Sequence, residues 1–391
     1  MPLLSPSARD LHALAPLRAD VSLGALRHNA RQIMGLAGAA EVMAAVKANA
    51  YGHGAVAVAR ALVGAGVPRF SVANVLEGVA LRDAGIEAPI LVMGAALPEA
   101  LPAYARFGLD LAVTSPEGAE AAVRAARDGH ALTVHVKADT GMHRLGLDAD
   151  DAVEAVRRLT ATPGISVAGL WTHFANVAGA FTDEQVARFD ALVARVAAEG
   201  VPVPPLLHLA NTGGLLATPA SVRGRQIVRA GGALYGLVSD RMLAGVADLQ
   251  PVMRLVGRIV QVKVVAAGET VSYGRTWRAA VPTLVATVGA GYGDGLPRAL
   301  SNRGRVGIGG ALFPVAGRVC MDMLMVDLGP PGGASGGAPG AGPGAGVRVG
   351  DEAVLFGPGG PSALDLADAA DTIAYDLTCR LTSRVPRVLV D

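Results

Sequence analysis

Cysteine is nearly absent: Cys320 and Cys379 are the only two in 391 residues. Two thiols so far apart make no disulfide framework and point to a reducing, cytoplasmic setting. A surplus of one charge is also missing. Lys and Arg together number 34 against 33 Asp and Glu, a formal net charge of +1, so no nucleic acid or anionic membrane partner is expected. Hydrophobic residues make up 51% of the chain. Much of this is alanine and valine in amphipathic segments, and no run is long and apolar enough to span a bilayer. Residues 1–20, MPLLSPSARDLHALAPLRAD, contain prolines and acids where an export signal has a sustained apolar centre. No Cys/His cluster has metal-ligand spacing, so no metal is expected. The GxxxxGK[ST] phosphate loop does not occur.

What the chain has instead is alternation. Eight short apolar runs follow one another from residue 42 to about 230: VMAAVK, RFSVAN, PILVMG, LDLAVT, LTVHVK, ISVAGLWTH, LLHLAN and QIVR. Between them lie segments such as GAVAVARALVGAG, PEGAEAAVRAARDG and ADDAVEAVRRLT, apolar at helical spacing with charges opposite. Eight such alternations imply a parallel (β/α)8 barrel over 21–250. From residue 251 the helical period largely disappears. LVGRIVQVKVV, TLVATVGAG, GRVGIGG, LFPVAGRV, MLMVDLG and DEAVLFG are strand-like runs broken by glycine and proline. They predict a separate, mostly antiparallel β domain over 251–391, with a helical stretch ALDLADAADTIAYDLTCRL before a closing strand RVLV. Residues 1–20 are expected to pack with that domain. The Gly/Pro/Ala-rich segment 329–346 has too little side chain to offset its ordering entropy and reads as a flexible loop.

A barrel of this kind carries its chemistry at the carboxyl ends of its strands. Lys47 ends the first apolar run, with Tyr51 just beyond. Lys137 ends the fifth and is followed by ADTGMHRLG with Arg144. His173 ends the sixth. His208 and Asn211, then Thr212, end the seventh. Arg229 ends the eighth, followed by Gly231 and Gly232. A strand-end lysine commonly just reaches water; the alternative is a desolvated lysine used as an amine. LANTGG and VRAGGALYG are either plain glycine-rich turns or a cradle whose hydroxyl and backbone N–H groups accept a phosphate. A rim lysine beside a phosphate cradle suggests pyridoxal 5'-phosphate: its aldehyde takes the lysine as a Schiff base, and its phosphate takes the cradle.

AVKANAYGHG, KADTGMHRLG, WTHFAN, HLANTGG, VRAGGALYG, VSYGRTW, GYGDGLPR, GRVCMDMLMVDLG and TCRLTSRVPR, in that order over nearly the whole chain, resemble alanine racemase. The resemblance implies a pyridoxal-phosphate isomerase that interconverts L- and D-alanine for peptidoglycan, acting as a homodimer with shared active sites. It implies that Lys47 is both the Schiff-base lysine and one catalytic base. Tyr273 is then the other base, contributed by the partner subunit, and Arg229 faces the pyridine nitrogen. Tyr51, His173, Thr212, Gly231, Gly232 and Tyr375 would hold the cofactor. Arg144 and Met321 would meet the substrate carboxylate, and Tyr292 would line the entrance. The family often has serine at the Thr212 position and a larger aliphatic residue at that of Gly232. Lys137 either carries a carbamate that orients Arg144, as the family often does, or pairs as an ordinary lysine with Asp139.

These roles have a physical logic. Racemisation removes a proton on one face of a carbon and returns it on the other, so it needs two bases. A lysine serves when neutral, which burial and nearby cations favour, and a tyrosine serves when cations stand beside it. An arginine stays protonated and gives no proton to a pyridine nitrogen, which leaves the ring a weak electron sink. His53 and Cys320 read as structural, and His208 as orienting its neighbours. The rival readings are a serine or broad-specificity racemase, a related amino-acid decarboxylase, and a non-catalytic pyridoxal-phosphate-binding protein. The last would lack the β domain and VSYGRTW.

Overall fold

A computed structural model describes residues 15–238, 240–331, 344 and 346–391. Two compact units emerge: Leu26–Gln250, and the described residues before it together with those of Pro251–Asp391; the rest of residues 1–20 lies outside the described residues. The segment 329–346 lies largely outside the described residues; Gly329 itself closes a strand.

The first strand, β1 (Leu17–Ser22), belongs to the second unit. The first unit is a ring of eight parallel strands: β2 (Glu41–Ala45), β3 (Arg69–Val72), β4 (Ile90–Val92), β5 (Asp110–Val113), β6 (Leu132–Lys137), β7 (Ile165–Trp171), β8 (Leu206–His208) and β9 (Ile227–Ala230). All eight expected runs are strands. Their order is sequential, and β9 pairs back onto β2. Between β8 and β9 the ring is drawn together by Gln226 N–H donating to Leu207 O at 3.2 Å and Arg229 N–H to Ala210 O at 2.9 Å. Strands covered on both faces are largely apolar, and β9 is buried at every position, Arg229 included. Three of the helices between strands begin where a side chain caps them. Asn74 accepts from Glu77 N–H, Ser115 from Gly118 N–H and Asp148 from Asp151 N–H. A helix at Leu101–Phe107, which the sequence reading did not single out, fills the gap between β4 and β5.

The second unit is an eight-stranded sheet. Besides β1 it contains β10 (Met253–Val265), β13 (Thr283–Val288), β14 (Arg305–Ile308), β15 (Ala311–Pro314), β16 (Leu324–Gly329), β17 (Glu352–Phe356) and β18 (Arg387–Val390); β11 (Thr270–Val271) and β12 (Trp277–Arg278) form a separate hairpin. The pairing is antiparallel except between β1 and β18. The thirteen-residue β10 serves two neighbourhoods: its first half pairs with β1 and β17, its second half with β13, across an irregularity at Ile259/Gln261. The helical stretch near the C-terminus is two helices, Ala363–Ala369 and Ala374–Cys379. The first ends because Thr372 N–H turns back to Ala367 O while Asp371 adopts φ +55°.

Arg18, Asp20, Arg254 and Glu352 form an ion network on this sheet. Arg18 reaches Asp20 at 2.8 Å and Glu352 at 2.6 Å, and Arg254 reaches Glu352 at 2.8 Å. Hydrogen bonding from Arg18 and then Arg254 holds the Glu352 carboxyl down at about 2, below its ordinary 4.5. A carboxyl depressed on folding contributes stability that is complete above the unfolded value and is lost as pH falls toward the folded one. Urea titrations of the native chain should therefore lose midpoint between pH 4.5 and about 2, and Glu352→Gln should flatten that slope. An identical slope in the variant would assign the acid sensitivity to other groups.

Candidate active site

The turn after β2 is unusual. Ala48, Asn49, Ala50 and Tyr51 all have positive φ, between +51° and +55°. For L-residues the left-handed conformation costs about 1–2 kcal/mol each, and it normally appears in single residues. Here Lys47 stands at the head of four in a row. Ala50 N–H reaches Val46 O at 2.8 Å, Gly52 N–H reaches Ala48 O at 2.9 Å, and Asn49 Oδ1 accepts from Ala55 N–H at 2.8 Å. His53 is fully buried, with Nδ1 at 3.0 Å from Ala50 O and 2.9 Å from Tyr51 O, and its ring stacks on Tyr235. Tyr235 donates its hydroxyl to Ala45 O at 2.8 Å, tying the loop after β9 to the end of β2. The structural reading of His53 fits this placement.

Tyr51, Thr212 and Gly231 come together beside that turn. Thr212 Oγ1 accepts from Gly231 N–H at 3.1 Å, and a Cβ on Gly231 would lie 2.7 Å from Tyr51 Oη. Glycine at 231 thus makes room for the tyrosine hydroxyl. Gly232 opens the short 3-10 turn Gly232–Tyr235.

Arg229 lies inside β9, 3% exposed. Its Nη1 donates to His208 Nδ1 and His208 O, both at 3.0 Å; its Nη2 donates to Thr172 O at 2.7 Å and Leu209 O at 2.9 Å, with His173 Nδ1 at 3.4 Å. Only Nε, buried as well, has no partner among the described residues. Burial draws this guanidinium down to about 9, which still leaves it charged at neutral pH. Burial, then the charge of Arg229, pushes both His208 and His173 well below their ordinary value, so both are neutral.

The proton positions follow. His208 Nδ1 accepts, so its hydrogen is on Nε2 and is donated to His135 Nδ1 at 3.0 Å. The hydrogen of His135 is then on Nε2, which lies 3.6 Å from Asp110. His135 fits only because Gly169 has no side chain; a Cβ there would run into its ring, at the point where the β6–β7 register shifts. Trp171 forms the floor, stacked on His208, with Arg229 Cζ 4.8 Å and Lys137 Nζ 5.2 Å from its ring centroid.

Lys137 is buried and donates to Leu145 O. Burial first, then Arg144, lowers it to about 8. Asp139 turns elsewhere, accepting from Gly141 N–H at 2.9 Å and His143 N–H at 3.1 Å. Arg144 is exposed in the loop beyond β6. The charges of Arg229, Arg144, Lys47 and Lys137 all bear on His173, so four cations from three strand ends, those of β2, β6 and β9, converge there.

Tyr273, Tyr292, Met321 and Tyr375 lie in the second unit. Ser272 takes φ +68° with ψ −179°, a region that favours glycine, and its hydroxyl donates to Arg318 O at 2.6 Å. This sharp bend presents Tyr273 at 70% exposure. Cys320 Sγ sits 3.4 Å from Ser272 Oγ, which fits a packing role. Tyr292 N–H donates to Cys320 O at 2.9 Å and Gly293 N–H to Met321 O at 2.8 Å, so Tyr292 and Met321 share one edge. Tyr375 is half-buried in the helix Ala374–Cys379.

The sequence reading missed His135, Asp110, Thr172, Glu77 and Tyr235. HVKADTG placed a histidine two residues before the rim lysine, but nothing in the sequence marked the bulge that turns it inward.

The barrel donors fit an anionic aromatic aldehyde: the primary amine of Lys47, a hydroxyl beside close-approach glycine, and a buried guanidinium whose Nε–H has no partner among the described residues. The family model for the alanine racemase N-terminal domain matches residues 21–239, and that for the C-terminal domain matches residues 252–389. Alanine racemase of Beutenbergia cavernae is 42% identical over 391 aligned positions, 96% of this chain and 98% of that protein. The enzyme of Chlorobaculum tepidum is 40% identical, covering 95% of this chain and 94% of its own. The solved alanine racemase of Streptomyces coelicolor superposes with a TM-score of 0.87 at 37% identity, covering 98% of this chain and all of that one. The chain belongs to the alanine racemase family.

Proposed function

We propose that this protein interconverts L- and D-alanine with bound pyridoxal 5'-phosphate, supplying D-alanine for peptidoglycan in the cytoplasm. The observation that carries the reading is the convergence on His173 of Lys47, Lys137, Arg144 and Arg229, beside the Thr212–Gly231–Tyr51 cradle. Such a cluster suits a ligand that brings both a phosphate and a carboxylate. Pyridoxal phosphate, when bound, supplies an aldehyde that takes an amine and a ring that acidifies the α-hydrogen.

The chain's own residues divide the remaining work. Lys47 holds the aldehyde and serves as one base; Tyr273 serves as the other. The Thr212 hydroxyl, whose lone pair already accepts Gly231 N–H, has its own hydrogen to give a phosphate oxygen, and Tyr51, Gly231, Gly232 and Tyr375 complete the phosphate grip. The free Nε–H of Arg229 donates to the pyridine nitrogen without transferring its proton. His173, neutral, keeps Nε2–H as a donor. Arg144 and Met321 receive the carboxylate and Tyr292 guards the entrance. Lys137, lowered to about 8 by burial and Arg144, gives up its proton more readily than an ordinary lysine, as a carbamate requires. Carbamylation would convert a third like charge beside Arg144 into its partner.

The working form is a homodimer with shared sites. In support, Tyr273, Tyr292 and Met321 are 70%, 42% and 53% exposed, although large apolar groups usually find cover.

The test is purification with pyridoxal phosphate and side-by-side assay of L-alanine and L-serine for inversion. Visible absorbance together with preferential inversion of alanine is the expected result. Equal turnover of serine would make the protein a broad-specificity racemase. Absorbance without inversion would reduce it to a cofactor-binding protein.

A further inference from the structure

The left-handed turn behind Lys47 is held from outside itself. Glu77 Oε1 accepts from Ala48 N–H at 2.7 Å, and Glu77 Oε2 accepts from Ala73 N–H at 2.7 Å. Ala48 is the residue next to Lys47 and the first with positive φ; Ala73 follows the end of β3. One carboxylate therefore spans the carboxyl ends of two neighbouring barrel strands. By spacing, Asn74 and Glu77 look like an ordinary capping box, in which the glutamate returns to the N–H of the cap residue. Asn74 does its part, accepting from Glu77 N–H at 3.1 Å. Glu77 does not return to Asn74. It reaches one residue further back and across to the lysine turn.

We propose that Glu77 is a positioning residue for Lys47: by pinning Ala48 N–H to the end of β3 it holds the left-handed turn that aims the lysine amine. This rests on the reading that Lys47 carries the reactive amine. The backbone N–H of Ala48 points at Glu77 with φ at +51°. Released, an alanine there returns to right-handed or extended backbone, as L-residues do. The Cα–Cβ direction of the preceding residue shifts with it. A carboxylate suits the task because it accepts two N–H groups at once and donates none.

Glu77→Ala and the isosteric Glu77→Gln test the proposal, each checked for cooperative thermal unfolding. In the protein without cofactor, amide exchange at Ala48 should rise several-fold in Glu77→Ala, the loss expected for one charge-assisted bond at a solvent-exposed amide. Glu77→Gln should fall between, since its amide oxygen serves one N–H and its NH2 opposes the other. With pyridoxal phosphate added, total bound phosphate should hold while the share absorbing as lysine-linked cofactor drops several-fold. A helix-capping role alone would lower the melting temperature and move neither readout. Unchanged Ala48 exchange in folded Glu77→Ala overturns the role of Glu77, whatever Lys47 does. If that variant does not fold, unchanged exchange in Glu77→Gln overturns it. A Lys47→Ala control that keeps the visible band overturns the lysine assignment and this inference with it.

Discussion

Lys47→Ala is expected to remove the visible absorbance of lysine-linked cofactor and to abolish inversion of alanine in both directions. The amine is lost at the head of a turn whose geometry is costly and is fixed by Glu77, Asn49 and His53. No neighbouring lysine replaces it: Lys137 is committed to Leu145 O behind the Trp171 ring. The cradle of Thr212, Gly231 and Tyr51 remains, so some cofactor should still bind by its phosphate. Loss of a general base alone lowers rates about 10²–10⁴-fold, and loss of the covalent anchor adds to that. A full visible band in the variant would falsify the assignment of Lys47.

Tyr273→Phe removes one hydroxyl and keeps the ring. The backbone bend that presents it depends on Ser272 and its bond to Arg318 O, so the turn should survive. Racemisation should fail in both directions, because each direction needs both bases. In deuterated water the variant should still exchange the α-hydrogen of D-alanine with retention, since Lys47 can remove and return a proton on its own face. Exchange from L-alanine should fall about 10²–10⁴-fold further. Equal loss from the two enantiomers breaks the two-base scheme. The same pair of variants probes the shared site. Mixing Lys47→Ala and Tyr273→Phe chains, each inactive, should restore part of the activity, because one site of the mixed dimer keeps both bases. Silence after proven subunit exchange would count against sites shared between subunits.

Much of this molecule was legible in its sequence. The eight barrel strands announced themselves because a strand covered on both faces is a near-continuous apolar run, and the helices between them because one face must stay polar. The change of period near residue 251 marked the second unit for the same reason. The rim residues could be found because a barrel brings its strand ends together, so that Lys47, Lys137, His173 and Arg229 meet although up to 182 positions separate them in the chain.

What the tertiary structure decided is where local preference and final conformation disagree. Alanine and tyrosine disfavour the left-handed conformation and asparagine visits it only as a single residue, so four in a row are not written in the sequence; bonds from Glu77, Asn49 and His53 impose them. The spacing of Asn74 and Glu77 reads as a cap, and only the neighbouring strand shows the glutamate engaged elsewhere. The Arg229–His208–His135 line depends on a register shift and on the bare Cα of Gly169, neither of which has a sequence signature. β1 lies between β10 and β18, partners from the far end of the chain, and pairing at that separation is set by the assembled sheet. The sequence determined which faces are buried and which residues carry charge. The direction of each reactive side chain, and the proton carried by each histidine, came from contacts between segments that the chain order keeps apart.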